Sequence, residues 1–252
     1  MLIENISVVI MAKDAESTIE KCLSSLIGFK EVVLYLNDTT DNTKNIASKF
    51  NNVNIIDGDF IGFGPTKNKA SSYSKNDWVF SLDSDEVVSE IFIENIKKIN
   101  LTESSVYTIL RTNFYKNTQI KHCWGDDVIV RLYNKTQTSF TNKKVHEHII
   151  SNNFNIEQIE GIVEHYPYST VTDFIVKLDR YSTIYANDNV GKKNSSPLKA
   201  ILNAKFSFFK TYFLKRGFLD GYAGLIIAFS HMATNFYKYI KLYELNKELK
   251  SK

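Results

Sequence analysis

Cysteine is nearly absent from this chain. Cys22 and Cys123 are the only two, and neither stands in a Cys/His spacing that would build a zinc site or in a disulfide framework. A reduced compartment is the expectation. An excess of one charge is missing too: 31 basic residues against 28 acidic leave a net +3, too weak to imply nucleic acid as a partner. Three prolines and ten glycines are spread over 252 residues, with no low-complexity segment and no internal repeat, which excludes solenoids and linker-rich architectures. No basic region followed by an apolar core and cleavage site opens the chain, and Ile6-Ser7-Val8-Val9-Ile10-Met11 reads as a first buried strand. A membrane-spanning run is lacking as well. Gly221 to Tyr237 carries no charge, yet Ser230, His231, Thr234 and Asn235 interrupt it, so it falls short of a spanning helix. The expectation is a cytoplasmic protein, with contact to a membrane surface left open.

What the chain does have is alternation. Over the first hundred residues short apolar runs alternate with helical patterns, the signature of a mostly parallel sheet flanked by helices. Strands are expected at Ile6–Met11, Glu31–Leu36, Val53–Ile56 and Trp78–Leu82. Ser17-Thr18-Ile19-Glu20 has the form of a capping box. A second helix should start near Asp41–Thr43 and a third near Pro65, where proline suits a first helical turn. From Val106 to His165 the pattern turns β-rich, including Val128–Tyr133 and Ile159–His165. After Pro167 it turns helical, at Val171–Ala186, Leu198–Leu214 and Phe218–Leu249. The implied organisation is an α/β domain over residues 1–168, in two halves at 1–100 and 101–168, and a helical extension over 169–252.

Ligands of such sheets lie beyond the carboxyl ends of the strands. The candidate polar residues fall there: Lys13 and Asp14 after the first strand, Asn37 and Asp38 after the second, Asp57 and Asp59 after the third, and Asp83-Ser84-Asp85-Glu86 after the fourth. Asp83 and Asp85 are two apart and would share a face of an extended backbone. Hard carboxylate oxygens in that pattern suit Mg²⁺ or Mn²⁺ carrying phosphate, and the plainer alternative is an acidic, solvated turn. The C-terminal helices interleave aromatics with lysines. That mix fits an anionic membrane surface, a second copy of the chain, or packing on the domain itself.

Assembled, the N-terminal strand, Thr39-Thr40-Asp41-Asn42-Thr43, Lys67-Asn68 and Leu82-Asp83-Ser84-Asp85-Glu86 resemble the family-2 inverting glycosyltransferases with a GT-A fold. Downstream, Arg131-Leu132-Tyr133, Val145-His146-Glu147 and Gly217-Phe218-Leu219-Asp220-Gly221 resemble the lipopolysaccharide and lipooligosaccharide core β-1,4-glucosyltransferases. The resemblance implies transfer of glucose from UDP-glucose onto a lipid-linked oligosaccharide at the cytoplasmic membrane face, with residues 1–168 as the catalytic domain, 1–100 its donor half and 101–168 its acceptor half. It departs from the family at Leu36, where an Asp usually helps to hold the nucleoside, and at Lys67, where arginine is common.

On this reading the donor nucleotide-sugar is held by Lys13, Asn37, Asp38, Asp41, Lys67, Asn68, Asp83 and Ser84, and the metal by Asp83 and Asp85. Inversion needs one carboxylate base within reach of the acceptor hydroxyl. Asp127 is favoured, with Glu147 close behind, while Asp126 and Asp127 could instead be a turn pair. His146 and His148 alternate and would face one side of a strand. His146, Arg131 and Trp124 are candidates for gripping acceptor or diphosphate, against packing roles for the histidine and tryptophan. Competing readings are a transferase acting on capsule or protein-linked glycans, a non-catalytic sugar-nucleotide-binding module, and a phosphatase of the haloacid dehalogenase type. The last normally carries its Asp-x-Asp on the first strand.

Overall fold

A computed structural model describes residues 2–144 and 146–251. Val145, the first residue of the Val145-His146-Glu147 run, lies outside the described residues. Two compact units make up the chain: Met1–Thr112 with Asp126–Tyr166, and Asn113–Gly125 with Pro167–Lys252. The helical unit thus starts two residues before the expected 169. It also takes in residues 113–125, which the sequence pattern assigns to the 101–168 half.

The strands are β1 (Ile3–Ala12), β2 (Phe29–Leu36), β3 (Val53–Asp57), β4 (Trp78–Asp83), β5 (Glu86–Val88), β6 (Ser105–Tyr115), β8 (Asp127–Asn134) and β9 (Asn155–Tyr168), all in the first unit but for the last residues of β6 and β9, while the short β7 (Thr118–Gln119), folded back on the end of β6, belongs to the second. Four helices connect them: α1 (Ile19–Ser24), α2 (Thr43–Ala47), α3 (Phe63–Ser72) and α4 (Glu90–Ile96). The sheet order is β3-β2-β1-β4-β8-β6-β9-β5. Strands β3, β2, β1 and β4 pair in parallel. The β4–β8, β6–β8 and β5–β9 pairings are antiparallel. The expected parallel character therefore holds for the first four strands, and the sheet as a whole is mixed. Parallel neighbours need a long crossover, and the chain between β6 and β8 carries only the β7 hairpin.

Side-chain alternation on the parallel strands buries both faces. Val8, Ile10, Val32 and Leu34 pack with Ile19, Leu23, Phe92 and Ile96 on one side. Val9, Val33 and Tyr35 pack with Ala70, Tyr133 and Phe140 on the other. Register levels the strand ends, with Ala12 opposite Leu36, Leu36 opposite Asp57 and Met11 opposite Asp83. The loops after β1 to β4 consequently share one edge. Leu36 is buried in the core, which accounts for an apolar residue at that strand end.

One local expectation fails. Thr18 does not cap α1 through its side chain; its hydroxyl donates to the Ala15 carbonyl instead (3.4 Å). The backbone N–H of Ala15, in the loop before α1, goes to Thr43 Oγ1 (2.8 Å), a long-range bond to the start of α2.

The helical unit comprises α5 (Val171–Asn189), α6 (Pro197–Phe209), a π-helical turn at Lys210–Leu214, a 3₁₀ turn at Gly217–Asp220 and α7 (Gly221–Lys250). A capping box opens α5: Thr170 Oγ1 accepts the Asp173 N–H (3.3 Å) and the Asp173 carboxylate accepts the Thr170 N–H (2.8 Å). Tyr115, Ile120, Cys123, Phe174, Ala223 and Ile227 form its core. Gly224 lets α7 approach the 3₁₀ turn, because a methyl group there would collide with the Gly217 carbonyl. Among the described residues no helix is long and apolar enough to cross a membrane.

Candidate active site

The edge formed by the ends of β1 and β2 is stitched by carboxylates. Asp14, at φ 47°, accepts the Thr40 N–H (2.8 Å). Asp41 accepts N–H bonds from Glu16 (2.9 Å) and Thr43 (3.0 Å), and the Thr43 hydroxyl at 2.5 Å. Burial works to raise the Asp41 pKa, but these bonds outweigh it and hold the carboxyl below its usual range. The Thr39-Thr40-Asp41-Asn42-Thr43 turn is thus a rigid rim, with Asp41 engaged inside the protein. Lys13 and Asp38 on the same rim are exposed, Asp38 in the left-handed region at φ 51°. Asn37 is buried directly beneath them.

At the end of β4 the charges interlock. Asp83 has both carboxylate oxygens engaged, Oδ1 by Lys67 (3.0 Å) and Oδ2 by Arg131 (2.6 Å). Burial alone would raise its pKa; Arg131 and then Lys67 hold it well below the carboxylate range. Lys67 also meets Glu147 (3.2 Å) and lies 5.2 Å from the centre of the Phe140 ring. Arg131 continues to Glu86 (3.1 Å). Arg111 bridges Glu86 (3.2 Å) and Asp127 (2.9 Å). The Arg131 and Lys67 side chains are 6% and 8% exposed, whereas that of Asp127 is 45% exposed. Charges so deeply desolvated persist only when paired, and this network pairs each of them. Lys67, Asp83, Arg111, Arg131 and Glu147 line a cleft of about 430 Å³ together with Phe140.

Asp85 stands apart from the network, its carboxylate 28% exposed and 3.5 Å from His165 Nε2. Its carbonyl accepts the Tyr166 N–H (2.8 Å), which ties the β4–β5 turn to β9. Ser84 occupies the same turn, half-buried. With Asp83 doubly ion-paired, Asp85 is the carboxylate of this turn that no lysine or arginine engages among the described residues, and a divalent cation held here would draw on it. Among the described residues no group of three His, Cys, Asp or Glu side chains could hold such an ion by itself. That fits an ion completed by substrate phosphate oxygens, as Mg²⁺ usually is, and not a closed protein cage.

The other expected residues fall elsewhere. Asn68 braces a loop: its side chain donates to the Phe140 carbonyl (2.9 Å) and accepts the Phe140 N–H (2.9 Å). Residues 146–148 form a loop, not the expected strand; His146 is exposed at φ 60°, so the alternation with His148 is lost. Trp124 belongs to the helical unit, stacked on Tyr168 with centroids 5.5 Å apart and donating to His231 Nε2 (3.3 Å). That is the packing alternative. Asp126 precedes β8 and makes no side-chain bond to the described residues. Two site residues escape the sequence reading, Arg111 within β6 and His165 within β9, and Glu86 stands in the acidic cluster without a role of its own. The one available signal was a charged side chain inside a run otherwise fit for a core.

A family model described as Glycosyl transferase family 2 matches residues 7–160, more than half of the chain. The chain belongs to glycosyl transferase family 2. It is an α/β protein of the GT-A type and a glycosyltransferase. Similar proteins from Rickettsia typhi (29% identity, 96% of this chain, 88% of the relative) and Rickettsia conorii (28%, 100% and 93%) are both named uncharacterized glycosyltransferase. Among solved structures, S. aureus TarS 1–349 aligns with 98% of this chain and 91% of its own at 15% identity and TM-score 0.48. Glucosyl-3-phosphoglycerate synthase from Mycobacterium tuberculosis, in complex with Mn²⁺, UDP and phosphoglyceric acid, aligns with 45% and 44% at 21% identity and TM-score 0.35.

Proposed function

We propose that this family-2 glycosyltransferase moves glucose from UDP-glucose onto a lipopolysaccharide or lipooligosaccharide core acceptor, with inversion, by a metal-assisted single displacement. The observation that carries the reading is the charge network at the end of β4, which runs from the doubly ion-paired Asp83 through Arg131, Glu86 and Arg111 to Asp127, with Asp85 beside it on the same turn as Asp83. Lys67 and Arg131 put positive charge beside the place where a diphosphate leaving group gains negative charge. A divalent cation held through Asp85 would supply further charge neutralisation when bound. Asp127 is the base. One of its oxygens is fixed by Arg111 and the other has no partner among the described residues, so it is free to accept the proton of an acceptor hydroxyl. Glu147, tied to Lys67 and less exposed, serves the donor side.

The acceptor's lipid is met at the helical unit. Leu198, Leu202, Phe206, Phe209 and Phe213 are all exposed and fall on one stripe of α6 and its π-helical continuation, flanked by Lys205 and Lys210. An apolar stripe edged by lysines is the composition of a helix lying in an anionic membrane interface.

The deciding experiment is UDP release from a panel of UDP-sugars with Mn²⁺ or Mg²⁺, with chelator, and with Asp85→Ala. Metal-dependent release from UDP-glucose that vanishes in the variant supports the reading. Turnover of a different donor, or turnover indifferent to chelator, refutes it in that respect. Donor binding without turnover, even with core oligosaccharide supplied, favours a binding module.

A further inference from the structure

Behind the cleft lies a carboxylate that substrate cannot reach. Glu86 is fully buried, and all its contacts are to other members of the site. Its Oε1 accepts from Arg111 Nη1 (3.2 Å) and Arg131 Nη2 (3.1 Å), and its Oε2 accepts the Asp83 backbone N–H (2.9 Å). Each guanidinium then makes one more ionic contact outward. Arg131 reaches Asp83 Oδ2 (2.6 Å) and Arg111 reaches Asp127 Oδ2 (2.9 Å).

For stability alone the arrangement is a poor choice, since buried ion pairs can usually be replaced by apolar groups of similar volume without loss. What this one provides is geometry. Arg111 is held through two nitrogens, Nη1 on Glu86 and Nη2 on Asp127, which fixes its plane, while Arg131 shares its Nη2 between Glu86 and Asp83, and both guanidiniums have Glu86 as their common anchor. We infer that Glu86 is a positioning residue that holds the donor-side Asp83 and the base Asp127 at one fixed spacing, through Arg131 and Arg111. The inference rests on the reading of Asp127 as the base. Single displacement gives the spacing its value, because the acceptor oxygen gives its proton to the base and attacks the anomeric carbon in the same step as the diphosphate leaves it, and a misplacement of about 1 Å can cost about 10²-fold in rate.

Two variants test it. Glu86→Gln removes the charge at constant size, and Glu86→Asp keeps the charge but withdraws it by one methylene, which makes it the variant to rely on if the glutamine protein does not fold. Each should lower kcat, by about 10²-fold for the glutamine, while donor KM moves by less than about tenfold. In an Asp127→Asn background the same changes should cost less than about threefold more, because the group through which Glu86 acts is already gone.

A second readout needs no substrate. The Nε atoms of Arg111 and Arg131 are buried, so their N–H signals are shielded from solvent and open to NMR. Both should shift and broaden together in the Glu86 variants. A folded variant with both signals unmoved, or a kcat loss undiminished in the Asp127→Asn background, overturns the inference. If the wild-type protein turns over no sugar nucleotide, the functional reading fails by itself, and the two arginine signals still decide whether Glu86 is their common anchor.

Discussion

Replacing Asp220 by alanine should destabilise the helical unit by about 4 kcal/mol. The carboxylate, 7% exposed, accepts the consecutive backbone N–H groups of Lys121 (3.0 Å), His122 (3.2 Å) and Cys123 (2.9 Å), and it meets His122 Nδ1 at 2.8 Å. Cys123 is fully buried, so its orphaned N–H costs about 1–3 kcal/mol. The other two donors can turn to water and cost about 0.5–1.5 kcal/mol each. Urea unfolding followed by Trp124 fluorescence measures the loss. Only two tryptophans are present, one in each unit, and Trp78→Phe leaves Trp124 as the sole reporter.

The pH dependence has a defined sign. Burial works to raise the Asp220 pKa, but the bond from Cys123 and those from His122 and Lys121 outweigh it and leave the pKa depressed. A depressed carboxyl contributes fully above its unfolded value of about 3.9, and the contribution is lost as pH falls through the lower folded value. The gap between wild type and Asp220→Ala should therefore be level from neutral pH down to about 5 and close below about 4. A loss under about 1 kcal/mol at neutral pH, or a gap that widens on acidification, would refute the reasoning.

Further outcomes follow from the same geometry. Asp127→Asn should lower kcat by about 10²–10⁴-fold with donor KM little changed, while Glu147→Gln should chiefly raise donor KM by freeing Lys67; steady-state kinetics with the two effects exchanged would make Glu147 the base. A methyl group at Gly64 would collide with the Thr141 carbonyl and come within 3.0 Å of that of Lys143. Gly64→Ala should therefore push away the loop carrying Glu147 and weaken donor binding by calorimetry, and unchanged binding would mean that the loop yields without moving its acid. Sedimentation with anionic vesicles should hold the protein at low salt and release it as salt rises, and Phe206→Asp should abolish it. Equal partitioning to neutral vesicles, or a concentration-dependent mass without any lipid binding, would point to apolar insertion or to a dimer.

Sequence alone carried the parallel half of this protein, because strands buried on both faces read as near-continuous apolar runs, broken here only by a few polar residues such as Ser7 and Ser81, and their ends are marked by polar loops. Trp78–Leu82 followed by Asp83-Ser84-Asp85 declares strand, edge and acid without any tertiary information. The aromatic, lysine-edged α6 is legible for the same reason, since its exposed stripe repeats at helical spacing. Other features belong to the fold. Glu86, Arg111, Asp127 and Arg131 come from three strands brought together by antiparallel pairing, and no spacing along the chain encodes which acid meets which base. Asn68 and Asp41 have the residue types of ligand contacts, yet partners 72 and 25 residues away engage them as braces. Local periodicity records what a residue buries, so it reached the core. Ion pairing depends on which distant group shares the same desolvated space, so only the tertiary structure could assign it.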